Sequence, residues 1–229
     1  MFNDCNFVYS CGDGNYSKNL EKKENLSNSC GSSIINSLNE SEEKYMSFVI
    51  MVANKKGMAC AADSRSTLGN DWFPQVENDE TTKVFKNDYM LIATYGPNKV
   101  NEIDNKIEDV INQILPNCTT PFEFSEEFRK RVYDNKKYEF LIGWENNIYE
   151  FQVYEDHVEY FFKGQNFTYI NGKVLSSMLG FNYNYFDSVD ILEDKCRKAV
   201  EQVIELCAKA PYSYVGGPIK SYSLEYKGK

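Results

Sequence analysis

The sequence predicts an α+β protein, a four-layer αββα sandwich of two stacked antiparallel sheets covered by helices on both outer faces. One observation is the change from strand-like apolar runs before residue 98 to helical spacing between residues 100 and 132. A second is the return of strands between residues 138 and 170, followed by one more helix and a closing strand. Strands, two helices, strands, helix, strand is the order expected of such layers.

The first ordered segment is a predicted β-hairpin. Residues 48–53 and 58–62 are short apolar runs, and the polar connection between them ends in Gly57. Residues 66–80 contain glycine and proline and are predicted to form a long loop. Two further strands follow at 83–86 and 89–95, joined by Asn87 and Asp88, which favour a turn.

Two helices are predicted next. The first starts near residue 98 and ends at Pro116, with one apolar stripe: Val100, Ile103, Ile107, Val110, Ile111 and Ile114. The second is centred on Phe124, Phe128 and Val132, which are spaced four residues apart. Both stripes are core faces that pack on a sheet.

The second half alternates again. Residues 138–144, 148–154 and 158–162 are predicted to form an antiparallel meander, with a further strand at 167–170. A helix is predicted at 188–209 with Asp187 or Ser188 as its N-cap, and Pro211 ends it. The alternating residues 219–226 are the closing strand.

Composition separates residues 1–45, which are rich in Asn, Ser, Lys, Glu and Gly, from a domain at 46–229. We interpret residues 1–45 as a disordered leader or a mis-assigned start. The net charge of −9 argues against a nucleic-acid partner, because nothing would attract phosphates. The chain shows no signal peptide and no apolar stretch near the ~20 residues of a membrane helix, so we expect a cytoplasmic protein without a membrane partner.

The cysteines and the histidine point away from metal and disulfide chemistry. The 7 cysteines are scattered without a C-x-x-C pair, so reduced thiols, no metal and no cofactor are expected. His157 lies in a predicted polar turn and is interpreted as a surface residue. Cys30 is an alternative nucleophile, but it has no basic partner nearby in the sequence.

The stretch from residue 47 to residue 83 carries the candidate chemistry. Asp63 stands where the second strand leaves the core, and Lys83 opens the next strand. A carboxylate and an ammonium at the ends of neighbouring strands can face the start of the first strand. If that start is Ser47, the site holds a hydroxyl, a carboxylate and a lysine together.

These residues resemble a known family. The run Ala61-Ala62-Asp63-Ser64-Arg65, with Gly57 before it and Lys83-Val84 after it, is similar to β-type proteasome subunits and their simpler bacterial relatives, which are N-terminal-nucleophile hydrolases. In that family a mature N-terminal threonine lies sixteen residues before the aspartate, and 63 − 16 gives Ser47. The resemblance extends from residue 47 to the C-terminus and is strongest over 47–95.

The resemblance implies peptide or amide hydrolysis with Ser47 as nucleophile. Its own α-amine, with a free pKa near ~8, would be the base, Lys83 would disfavour protonation of that amine, and Asp63 would hold Lys83. Ser47 must then be a free N-terminus. Met46 stands where self-processing members have glycine, so either a leader is cut off or translation starts at Met46 and the methionine is removed.

Two departures from the family concern supporting groups. The family has a glycine pair whose amide helps to form the oxyanion hole, whereas Pro97, which has no N–H, stands at the key position here. Gly96 is the remaining candidate oxyanion donor. Tyr212 and Val215 occupy the positions where a supporting Asp and Ser are expected.

Three functions remain open on the sequence. One is a proteasome-like peptidase assembled as a homo-oligomeric ring, for which the sequence names no ATPase partner. The second is a non-catalytic subunit of the same fold with a structural or binding role. The third is a small-amide hydrolase, and fold alone does not separate the three.

Overall fold

The computed structural model describes residues 47–68, 75–101, 105–165, 168–171, 181–208 and 215–226. The predicted leader, residues 1–45, lies outside the described residues. The strands are β1 (Val49–Ala53), β2 (Gly57–Ala62), β3 (Ser66–Leu68), β4 (Gln75–Asn78), β5 (Val84–Lys86), β6 (Met90–Tyr95), β7 (Lys99–Val100), β8 (Asn105–Lys106), β9 (Tyr138–Trp144), β10 (Asn147–Val153), β11 (Val158–Gln165), β12 (Thr168–Asn171) and β13 (Lys220–Glu225). The helices are α1 (Ile107–Ile114), α2 (Pro121–Arg129) and α3 (Val189–Cys207).

The predicted first hairpin is confirmed. Strands β1 and β2 pair antiparallel, and every residue of both is buried. Burial on both faces explains why these runs are continuously apolar rather than alternating. Asn54 shapes the turn, because its Oδ1 accepts hydrogen bonds from the backbone N–H groups of Lys56 at 2.8 Å and Gly57 at 3.2 Å.

Two larger antiparallel sheets organise the described strands. One has four strands in the order β12-β1-β2-β13, and the other has five in the order β11-β10-β9-β6-β5. The predicted meander is therefore confirmed as β9, β10 and β11. The predicted strand near 167–170 exists as β12, but it pairs with β1 and not with β11. Alternation of apolar and polar residues predicts that a strand forms, but it does not predict which strand will pair with it.

The start of the first predicted helix was wrong. Residues 99–100 and 105–106 pair as the short strands β7 and β8, and α1 begins only at Ile107. Asn101 has φ +63°, which a helix does not accommodate. Its Nδ2 donates to the carbonyl of Arg131 at 2.6 Å, and its Oδ1 accepts from the N–H of Tyr133 at 2.6 Å. These distant bonds outweigh the local helical spacing.

The other two helices form where they were predicted, although α2 ends at Arg129 and so does not include Val132. Thr120 caps α2, because its side chain accepts from the N–H of Glu123 while the Glu123 side chain accepts from the N–H of Thr120. Of the two candidate N-caps for α3, Ser188 occupies the position.

The predicted loop at 66–80 contains a short ribbon, so that prediction was wrong in part. Strands β3 and β4 pair antiparallel, and Ser66 Oγ donates to Glu77 Oε2 at 2.7 Å. Residues 75–77 are exposed, so the ribbon leaves no apolar pattern in the sequence by which it could be predicted.

Three buried clusters hold these elements together. The first packs α1 and α2 on the five-stranded sheet and includes Phe124, Phe128 and Phe140. The second packs α3 on β1 and β2 and includes Phe48, Leu192 and Val200. The third combines residues of both sheets, among them Met51, Leu91 and Leu141. Within the described residues, no helix is long and apolar enough to cross a membrane.

Candidate active site

Asp63 and Lys83 form a buried ion pair. Asp63 directly follows β2 and Lys83 directly precedes β5, so the ends of two different sheets meet here. Lys83 Nζ lies 3.0 Å from Asp63 Oδ1, and the two side chains are 2% and 0% exposed. The structure thus brings together two of the residues singled out in the sequence.

Backbone amides fix the Asp63 carboxylate. Its Oδ1 also accepts from the N–H of Phe48 at 3.0 Å. Its Oδ2 accepts from the N–H groups of Arg65 at 3.1 Å and Gly216 at 3.3 Å. Bonds of this kind to a charged acceptor are about twice as strong as those between neutral groups. The carboxylate therefore connects the start of β1, the end of β2 and the turn before β13.

Lys83 has a second acceptor. Its Nζ donates to the backbone carbonyl of Arg65 at 2.6 Å. Burial lowers the pKa of Lys83, and the charge and hydrogen bond of Asp63 oppose that shift. Burial disfavours the ammonium form of Lys83, and the contact with Asp63 favours it.

Ser47 adjoins Phe48, whose backbone contacts this pair. It is half-buried and precedes Phe48, whose N–H bonds to Asp63 Oδ1 and whose carbonyl accepts from the N–H of Asp63 at 3.3 Å. The two bonds tie residues 48 and 63 together. Ser47 is thereby one residue from the backbone that contacts the ion pair.

Gly96 and Pro97 follow the strand that pairs with the Lys83 segment. The N–H of Thr94 donates to the carbonyl of Lys83 at 2.9 Å, and β6 ends one residue later at Tyr95. Gly96 has φ +104°, a conformation that side chains with a Cβ rarely adopt. Pro97 is buried and offers no N–H.

The sequence did not predict an ion pair that supports the same loop. Arg65 Nε lies 2.7 Å from Asp79 Oδ1 and Arg65 Nη2 lies 3.0 Å from Asp79 Oδ2, and these bonds lower the pKa of Asp79. A Cβ on Gly216 would lie 2.5 Å from Arg65 Cζ. A Cβ on Gly217 would lie 2.5 Å from the carbonyl oxygen of Asp79. Gly216 and Gly217 are adjacent glycines and predict a turn, but nothing in the sequence linked that turn to a segment about 150 residues earlier.

Substitution of alanine for Gly216 and for Gly217 is expected to destabilise the protein by different amounts. Gly217 has φ +75° and would place its Cβ against rigid backbone, so Gly217→Ala is expected to destabilise the protein by about 1–3 kcal/mol. Gly216→Ala displaces a flexible guanidinium from a partly exposed ion pair and is expected to cost less than about 1 kcal/mol. Urea unfolding of both variants measures the difference, and equal costs would contradict this packing.

Other candidates in the sequence do not join the site. His157 is exposed and contacts Asp156 and Glu159, and its hydrogen bond with Asp156 raises its pKa. Burial raises the pKa of the Cys60 and Cys196 thiols, which disfavours the reactive thiolate. Cys30 and Tyr212 lie outside the described residues, and Val215 is a buried member of the α3 cluster. Among the residues described, no group of His, Cys, Asp and Glu is placed to hold a metal.

Comparisons with known proteins relate the chain to others by fold. No family model and no curated protein matches it. An Anbu mutant from Hyphomicrobium sp. strain MC1 matches with a TM-score of 0.53 and 14% identity, covering 79% of this chain and 82% of that one. Anbu (ancestral β-subunit) from Yersinia bercovieri has a TM-score of 0.49 at 13% identity, covering 78% and 81%. Anbu from Hyphomicrobium sp. strain MC1 in another crystal form has a TM-score of 0.48 at 14% identity, covering 78% and 82%.

These matches correct the family assignment made from the sequence. The similar structures belong to Anbu, a proteasome-like family distinct from the β-type subunits and simpler bacterial relatives named above, so that assignment was wrong. The relation rests on the TM-score of 0.53 alone, and at 14% identity it is a relation of fold. The chain therefore has a fold related to the proteasome-like Anbu proteins.

Proposed function

We propose that this protein hydrolyses peptide or amide bonds, with Ser47 as nucleophile and the α-amine of Ser47 as base. The buried Asp63–Lys83 pair, bonded through Asp63 to the N–H of Phe48, carries the proposal. Burying two charges costs several kcal/mol per ion before their attraction is counted, and apolar residues stabilise a core as well or better. A buried pair at the ends of two strands is therefore better explained by chemistry than by stability.

The proposed reaction proceeds in two stages. Ser47 Oγ attacks the carbonyl carbon and its proton passes to the α-amine, and the C–N bond then breaks as the leaving amine takes that proton. Water next attacks the resulting ester and gives a proton to the α-amine. The ester C–O bond then breaks as Ser47 Oγ takes that proton back, which releases the acid and restores the hydroxyl and the free amine. The positive charge of Lys83 disfavours protonation of the α-amine and so keeps it in the neutral form that can accept a proton.

We assign the oxyanion donor to the N–H of Gly96. Pro97 cannot donate, and an active site that lacks one oxyanion donor typically loses roughly 10²–10³ in rate. The proposed enzyme is accordingly a slow one.

The layer order and assembly are also proposals. The three buried clusters support an αββα sandwich, since α1 and α2 pack on one sheet, α3 packs on the other, and a third cluster joins the sheets. A homo-oligomeric ring with the sites inside, in the cytoplasm, is the assembly proposed with this fold. Whether an ATPase unfolds its substrates is a separate question that a pull-down with the purified ring addresses.

A second candidate is a non-catalytic scaffold of the same fold. Pro97, buried directly after Gly96, favours it because the residue removes a backbone donor where the reaction needs one. Met46 before Ser47 favours it as well, because the glycine of self-processing chains is missing. A third candidate, hydrolysis of small amides, differs from the first in its substrate and uses the same residues.

Hydrolytic activity is expected to depend on whether Ser47 has a free α-amine. A chain that starts at Ser47, released by a site-specific protease from a removable tag, should hydrolyse fluorogenic peptides or acyl amides. The chain that starts at Met1 and the chain that retains Met46 should not, because their residue 47 has an amide in place of the amine. Mass spectrometry of the native protein shows which form cells contain.

The three chains serve as controls for one another, because they share every residue from 47 onwards. Circular dichroism of each establishes that the fold is unchanged. If the Ser47 chain is folded and hydrolyses none of the substrates, the scaffold function replaces the enzymatic one. If it cleaves acyl amides and leaves peptides intact, hydrolysis of small amides is the preferred function.

A further inference from the structure

Strand β11 lies at one end of the five-stranded sheet. Within the described part of the chain it pairs with β10 alone. Its central residues Tyr160, Phe161 and Phe162 are 56%, 44% and 59% exposed. An edge strand presents backbone N–H and C=O groups ready to pair, and soluble proteins normally protect such edges with charge, proline or a cover. Three successive exposed aromatic residues do the opposite and indicate an interaction surface.

One face of β11 continues into the aromatic core. The Tyr160 ring lies 5.2 Å from the ring of Phe122, itself 41% exposed, and the Phe162 ring lies 5.5 Å from that of Tyr149. Phe122 also contacts the fully buried Phe151 at 5.6 Å. The exposed rings are therefore held in fixed positions and lose little side-chain freedom when covered.

The other face combines one aromatic ring with opposite charges. Phe161 lies opposite Glu150 in the β10 register, and Glu159 lies opposite Gln152, so Phe161 and Glu159 share this face. Lys163 Nζ lies 5.4 Å from the centre of the Phe161 ring and forms an ion pair with Glu150. A carboxylate and an ammonium thus flank Phe161, two residues away on either side.

We propose that β11 pairs antiparallel with β11 of a second copy, with Phe161 on the two-fold axis. In that register Tyr160 lies opposite Phe162 of the second copy, and Glu159 lies opposite Lys163 of the second copy. Two-fold symmetry produces each contact twice. Aromatic pairs and opposite charges directly across from one another stabilise antiparallel strands. The pairing also satisfies the edge backbone groups and joins the two five-stranded sheets.

The charges select this register. A two-fold axis one residue earlier, at Tyr160, would place Glu159 opposite Phe161 of the second copy, with no cation across from the carboxylate. With Phe161 on the axis, Lys163 keeps its bond to Glu150 and meets a second carboxylate. The register shift between Ile148 and Tyr149 makes Lys163 the extra residue of the β10–β11 pairing. The regular stretch available to the new pairing is therefore 158–162, with Lys163 at its end.

The self-complementarity of this strand is the reason for choosing a second copy as the occupant. The run Glu159-Tyr160-Phe161-Phe162-Lys163 reads acid, aromatic, aromatic, aromatic, base, so reversing it exchanges opposite charges and matches rings with rings. An unrelated partner has no reason to match this order. The inference does not depend on the proposed hydrolysis or on the proposed ring.

A cysteine on the axis tests the register directly. Phe161→Cys, oxidised at low concentration, is expected to form a disulfide-linked dimer of twice the 26.5 kDa chain mass, because the two sulfurs would face each other across the axis. Tyr160→Cys is the matched control, since its sulfur would lie opposite residue 162 of the second copy. Wild type oxidised in parallel gives the background from native cysteines, and peptide mapping identifies the linked residues.

A charge on the axis tests the association in solution. Phe161→Lys places two ammonium groups opposite each other and is expected to weaken self-association by roughly tenfold or more in sedimentation experiments. Phe186→Lys is the control, because Phe186 is 67% exposed in a turn before α3. Self-association that Phe161→Lys leaves unchanged would overturn the proposal, as would a monomeric wild type. The proposal would also be overturned if Tyr160→Cys formed the linked dimer faster than Phe161→Cys. It would be overturned as well if the thiol introduced by Phe161→Cys formed a disulfide with a native cysteine of its own chain.

Discussion

Ser47→Ala, introduced into the chain that starts at residue 47, is expected to reduce amide hydrolysis at least about 10³-fold. The α-amine, Lys83 and Asp63 all remain, so the variant removes one hydroxyl and leaves the base in place. Removing a nucleophile that acts together with its base typically lowers the reaction rate by this factor or more. Initial rates at substrate concentrations far below KM give kcat/KM for both proteins, and a loss smaller than tenfold would rule out Ser47 as the nucleophile.

Two further substitutions serve as controls for Ser47→Ala. Ser188→Ala removes a serine whose side chain makes no capping hydrogen bond, so it is expected to leave the rate unchanged. Ser47→Thr retains the hydroxyl and amine and adds a γ-methyl group that restricts χ1, so it is expected to equal or exceed wild type. An inactive threonine variant with an intact fold would contradict the proposed geometry at the start of β1.

The sequence predicted the first hairpin, the meander, α2 and α3 because each has a local signal. Residues 48–53 and 58–62 are apolar throughout, and the α3 stripe repeats at helical spacing. The failures occurred where distant residues decide the backbone. Asn101 is not helical because it forms hydrogen bonds with residues 131 and 133. Strand β12 pairs with β1, which lies more than a hundred residues earlier in the chain.

The candidate site shows the same division. Asp63 and Lys83 were placed near each other from their positions at strand ends, and they lie 3.0 Å apart. The contacts of Asp79 and Gly216 with Arg65 were missed, since they depend on how the turn before β13 returns to β2. Short spacings in a sequence predict neighbouring strand ends, whereas the supporting groups come from parts of the chain that only the tertiary fold unites.

Asp63→Ala is expected to have the largest effect on stability, about 3–5 kcal/mol, because it leaves the buried Lys83 ammonium without its counter-charge. The N–H groups of Phe48, Arg65 and Gly216 would lose their acceptor as well. Lys83→Met is expected to cost less, since those three amides still bond to the carboxylate. The Asp63→Ala/Lys83→Met double variant should lose less stability than the two single losses added together. Urea unfolding of wild type, both single variants and the double variant measures this difference as a coupling free energy.

The pH dependence of Asp63→Ala separates this explanation from a simple loss of packing. Asp63 raises the pKa of Lys83 against the effect of burial, so its removal lowers that pKa further. Between the lowered folded value and the unfolded value near ~10.4, the unfolded chain binds more protons than the folded chain, so the free energy of unfolding rises with pH. The deficit of Asp63→Ala relative to wild type is therefore expected to shrink as pH increases toward ~10. The difference between the Asp63→Ala/Lys83→Met double variant and Lys83→Met, neither of which contains Lys83, should stay constant over the same range. A deficit of the single variant that does not change with pH would mean that the Lys83 charge is not what destabilises the protein.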